Sequence, residues 1–93
     1  MTLVEFHEYC KRYNAIILKM KVKYQNSRFD YIEYKEVAFM RAYYGNKDLT
    51  EFDKHEIQRL HDIYFTNFLK YLEMQEKFKN FCIKFKYILN EVN

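Results

Sequence analysis

Residues 50–92 read TEFDKHEIQRLHDIYFTNFLKYLEMQEKFKNFCIKFKYILNEV, a stretch with no glycine and no proline. Those two residues are the strongest breakers of regular structure. Thr50 is a good helix N-cap, and Asp53 stands three residues on at the capping-box position. Behind them Ile57, Leu60, Tyr64, Asn67, Tyr71, Met74, Phe78, Phe81, Phe85, Ile88 and Val92 recur at alternating spacings of three and four. That is the a and d pattern of a heptad seam, with Asn67 as its one polar member. Phe68, Leu72, Cys82 and Leu89 widen the stripe, which suits a helix packed in a bundle. Unbroken, the helix is about 60 Å long at 1.5 Å per residue.

Outward from this stretch, the next mark is Gly45, the only glycine in 93 residues that also lack proline. Gly45-Asn46-Lys47-Asp48 reads as an inter-helix turn with Gly45 as a left-handed C′ cap. Upstream, residues 29–44 read as a helix capped by Ser27 or Asn26, with apolar residues nearly all round it. Thr2 and Glu5 form a capping box for a first helix over 3–24. Its stripe is Leu3, Phe6, Cys10, Tyr13, Ile17, Met20 and Tyr24. The expected fold is therefore a single all-α domain over 1–93: a helical hairpin, or a three-helix bundle with one long C-terminal helix. The alternative is an α+β fold with a small strand hairpin at about 16–35, because Leu18–Tyr24 also alternates with period two.

The two helical models differ at Gln25–Arg28. In the hairpin, the upstream helices run end to end, kinked there, along the long helix; Asn67 then meets Asn26 and Ser27. In the bundle, the long helix overhangs its neighbours, and Phe78, Phe81, Phe85 and Ile88 become a self-association stripe. Both lead us to expect a homo-oligomer.

The composition supports binding rather than catalysis. Nine Phe and ten Tyr are too many for a core this small, and Tyr suits interfaces. One glycine leaves no phosphate-cradling loop, and no Walker, Rossmann or nucleophile-elbow pattern occurs. His7, Cys10 and Cys82 can be drawn as a metal site, but they lack a fourth ligand and the short spacings of zinc modules. No catalytic residue, metal or cofactor is expected, and the cysteines read as small core hydrophobes.

Charge is uneven along the chain. The net is only +3, yet Lys11, Arg12, Lys19, Lys21, Lys23 and Arg28 form a run with no acid among them. With interleaved rings, such a run can grip phosphates. Lys77, Lys79, Lys84 and Lys86 stand among the C-terminal aromatics. We therefore expect a non-enzymatic interaction protein that self-associates and binds a macromolecular partner. A phage or mobile-element effector, inhibitor or regulator fits the bias toward Lys, Asn, Tyr, Phe and Ile. The expected partner face is Tyr31, Tyr34, Tyr43 and Tyr44, meeting a protein. The other reading is nucleic-acid binding through residues 11–28. The first ten residues hold two Glu and no Lys or Arg, unlike a secretory leader. No run approaches a membrane span, so the expected location is the cytoplasm.

Overall fold

The computed structural model describes the backbone of residues 1–92 and the side chains of residues 1–87. It contains two helices, α1 (Leu3–Tyr44) and α2 (Glu51–Val92), each 42 residues long. They fold back on each other as an antiparallel hairpin measuring 71 × 16 × 15 Å. There is no strand among the described residues.

Both helices start where the capping residues put them. The Glu5 amide donates to Thr2 Oγ1 at 3.2 Å, and the Asp53 amide donates to Thr50 Oγ1 at 3.0 Å. Each cap satisfies a backbone N–H that has no partner inside the helix. At the turn, the roles of glycine and asparagine are exchanged relative to expectation. Gly45 stays right-handed (φ −81°, ψ −4°), and its amide donates to the Arg41 carbonyl. Asn46 takes the left-handed conformation instead, at φ 55°, which Asn tolerates better than most residues.

The three-helix bundle does not form, because α1 runs unbroken through Gln25–Arg28. Asn26 and Ser27 signal a cap in sequence, but Ser27 spends its hydroxyl inside the helix. Its Oγ donates to the carbonyls of Lys23 (3.0 Å) and Tyr24 (2.9 Å), the back-bonding that lets Ser sit mid-helix. The strand hairpin at 16–35 fails for the same reason. Of the alternating residues, Met20 and Tyr24 are half-buried while Leu18 and Val22 are exposed, which is helical spacing. The long C-terminal helix is thus one of two equal helices, with no overhang.

One seam joins them. From α1 it takes Phe6, Cys10, Tyr13, Ile17, Met20, Tyr24, Ser27, Tyr31, Tyr34 and Ala38, all buried or half-buried. From α2 it takes the heptad series Ile57 to Phe85, preceded by Asp53. At the open end, Phe6 stacks on Phe85 with ring centroids 3.8 Å apart. In the middle, Tyr24 meets Phe68 at 4.9 Å, and Asn67 Nδ2 donates to Ser27 Oγ at 3.1 Å. The polar seam residue therefore meets the polar interruption, as the hairpin reading requires.

Candidate interaction surfaces

A hairpin with one seam leaves most of each helix in solvent. Among the described apolar residues only Ala38 and Phe85 are buried, and no large side chain among the described residues is fully so. The accessible surface is 7664 Å². A globular monomer of 11.7 kDa would expose about 5,900 Å². The excess, about 1,800 Å², is larger than the roughly 800 Å² that each partner contributes to a standard interface.

Two expected sites are corrected by where the rings point. Phe78, Phe81 and Phe85 face α1, not solvent. Phe78 lies 5.4 Å from Tyr13, and Phe81 lies 5.4 Å from Tyr13 and 5.6 Å from Phe6. Because α1 is as long as α2, it covers the stripe that an overhang would have exposed. The Ile88 side chain lies outside the described residues. Tyr31 and Tyr34 are also turned inward. Tyr31 stacks on Tyr64 at 5.4 Å. The Tyr34 hydroxyl donates to Asp53 Oδ1 at 2.7 Å. Tyr43 and Tyr44 remain exposed at the turn, 79% and 78%, with their rings edge to face at 5.3 Å.

Asp53 is the centre of the turn-proximal seam. Its side chain is 8% exposed and also accepts from Arg41 Nη2 at 3.3 Å. The Tyr34 hydrogen bond holds the carboxyl below its ordinary range despite burial, with help from Thr50 and Arg41. The same bond pushes the Tyr34 hydroxyl up, since its proton is held by the carboxylate. The arrangement is a lock between the helices. No group of three or more His, Cys, Asp or Glu among the described residues could hold a metal ion. Cys10 and Cys82 are both free and half-buried. Burial, then the neighbouring Cys10, pushes the Cys82 thiol up.

The basic run divides between two sides of the rod. All six residues are exposed, but a helix turns 100° per residue, so neighbours in sequence diverge in space. Lys23 lines a groove of about 420 Å³ with Arg59, Ile63 and Thr66. Asp30, Glu33 and Val37 line the next groove on that side, about 340 Å³, against Leu60. Arg12 and Lys19 follow the same stripe by helical spacing. Lys21 and Arg28 belong to the series 21-28-35-42, on the opposite side, where Ala42 meets Lys54. Lys11 lies beside them.

That opposite side is nearly single-signed. Along its stripes stand Lys11, Lys21, Arg28, Lys35, Lys54, Lys79 and Lys86. Its acids, Asp48 and Glu51, sit at the turn, and Glu51 is held by Lys54 at 3.2 Å. Exposed Leu18, Phe39, Phe65 and Leu72 are interleaved. The α2 lysines of this face were legible only as members of an aromatic C-terminal stretch. Their alignment with Lys21, Arg28 and Lys35 depends on the hairpin register.

No helix among the described residues is long and apolar enough to cross a membrane. Compared with known proteins, the chain matches no family model, no curated protein and no solved structure.

Proposed function

We propose that this chain is a non-enzymatic helical interaction protein that self-associates and presents its remaining faces to a macromolecular partner. The observation that supports this reading is the exposed apolar surface. Leu18, Phe29, Met40, Phe52 and Leu69 stand between 49% and 68% exposed on a rod with two buried apolar residues among those described. Surface of that extent on a small protein marks interaction sites. Exposed Tyr43 and Tyr44 at the turn are rigid amphipathic rings of the kind that anchor protein interfaces. A small effector, inhibitor or regulator of a phage or mobile element works in this way, by occupying a partner's surface. Light scattering tests the first half. At about 100 μM, where an obligate assembly holds together, the expected mass is a multiple of 11.7 kDa. A single-chain mass refutes self-association.

The second reading is nucleic-acid binding, supported by the one-signed face around Lys21, Arg28 and Lys35. Those three recur every seven residues, about 10 Å apart. A phosphate-binding face gives affinity that falls steeply with salt. Fluorescence anisotropy with labelled DNA and RNA at low salt, repeated on the Lys21→Glu, Arg28→Glu, Lys35→Glu variant, decides it. Micromolar, salt-sensitive binding lost in the variant supports the reading. No binding at low salt removes it.

A further inference from the structure

We infer that the Lys23 side of the hairpin is a self-complementary interface for a second copy of this chain, packed antiparallel about a twofold axis at the level of Asn26. This rests on the self-association reading and gives it a geometry.

Four charges stand exposed on one side of α1. Lys19 and Lys23 are an i,i+4 like-charge pair, and Asp30 and Glu33 are an i,i+3 like-charge pair. Such pairs repel along a helix. Among the described residues, none of the four forms an ion pair within the chain. All four are exposed on one stripe, with Lys23, Asp30 and Glu33 lining adjacent grooves. The two pairs flank Asn26. At 1.5 Å per residue, Lys23 and Asp30 stand about 4.5 and 6 Å to either side of it, and Lys19 and Glu33 about 10 Å.

An α1 helix of a second copy, laid antiparallel with Asn26 on the axis, therefore sets Lys23 against Asp30 of the other copy. It sets Lys19 against Glu33. The next residues outward on the stripe are Ile16 and Val37, within one residue of equidistance, then Arg12 and Met40, and beyond them Tyr9 and Tyr44. Basic meets acidic, aliphatic meets aliphatic, and ring meets ring, with Arg12 set against Met40.

Asn26 is level with Phe68 in the rod, because the helices run antiparallel and the adjacent residues Ser27 and Asn67 are hydrogen bonded to each other. About that level Arg59 and Lys77 are equidistant on α2. Arg59 with Glu56, and Lys77 with Glu73, are already ion-paired within the chain, so the contact joins them into four-charge clusters. The result is a four-helix bundle whose shared face is closed, leaving the basic Lys21 side outward on both copies. The grooves lined by Lys23 and Ile63, and by Val37 and Leu60, receive the opposing side chains.

The test uses two exposed charge-reversal variants, Lys19→Glu/Lys23→Glu and Asp30→Lys/Glu33→Lys. Alone, each sets like charges against like at both ends of the axis. Like-charge juxtaposition across an interface is costly, and self-association should weaken by about 100-fold. Mixed in equal amounts, the two variants are complementary again, and a dimer holding one of each should reappear at wild-type concentrations, read by native mass spectrometry. If either variant alone assembles like the wild type, or the mixture fails to recover, the geometry is wrong although self-association by another face stands. If the wild type itself is monomeric at about 100 μM, the self-association reading fails with it. Circular dichroism reports whether the variants remain helical. Should one unfold, Asn26→Cys takes its place: mild oxidation should link position 26 to position 26, while Glu36→Cys on the outer face should not link. Equal linking of both, or no link at position 26, overturns the proposal.

Discussion

Asn67 and Ser27 let the hairpin register be tested by a reversal of sign. Asn67 is 8% exposed, and its Nδ2 donates to Ser27 Oγ at 3.1 Å. Ser27 does not depend on that bond, because its own hydroxyl proton is shared by the Lys23 and Tyr24 carbonyls. Replacing Asn67 with Leu thus removes one hydrogen bond, worth about 0.5–1.5 kcal/mol, and leaves no orphan. The new side chain, buried in a seam of rings, contributes about 1.5–3 kcal/mol. The net expectation is a gain of about 1 kcal/mol, or about 4–8 °C in Tm for a chain this size. Ser27→Ala has the opposite sign. It strands the Asn67 carboxamide in the seam, at a cost of about 1–3 kcal/mol. The double variant removes both polar partners and should return to wild-type stability or better. Urea unfolding followed by circular dichroism at one fixed protein concentration measures all four corners. If Asn67→Leu is destabilising, or Ser27→Ala is neutral, the two residues are not partners and the register is wrong.

Phe85→Ala should cost about 3 kcal/mol, because the ring is 4% exposed and stacked on Phe6; Phe29→Ala, at 64% exposed, should stay within about 0.5 kcal/mol in the same urea assay. The folded Asp53 carboxyl titrates below its ordinary value of 3.8, so its contribution is fully present above that value and is lost as pH falls through the folded one. Acid unfolding of Asp53→Asn should accordingly lack a transition component that the wild type shows below about pH 4. With its thiol pushed up, Cys82 should react with iodoacetamide at pH 8 more slowly in the folded chain than in urea, read by peptide mass spectrometry; equal rates would contradict the burial.

The a and d series of α2 was legible as far as Phe85, because alternating spacings of three and four carry the helix period directly. So were the two N-caps, Thr2 and Thr50, whose side chains act within three residues of their own position. Gln25–Arg28 was not. Ser27 and Asn26 carry cap chemistry, and only the bond from Asn67 and the back-bonded hydroxyl show that Ser27 serves the helix interior. The rings of residues 29–44 gave an all-round apolar pattern, so the inward turn of Tyr31 and Tyr34 depended on Tyr64 and Asp53 of the other helix. The basic run showed the limit of linear reading most clearly: Lys21 and Lys23 are two residues apart and lie on opposite sides of the rod.

The chain turns once, making two long helices and no third. Small-angle X-ray scattering tests this directly. The hairpin has a radius of gyration of 20.8 Å, and antiparallel pairing of two rods does not shorten it. A value near 21 Å or above, with a rod-like scattering profile, is the expected result. A compact globule of this chain length would have a radius of about 12 Å, and a value near that would contradict the fold.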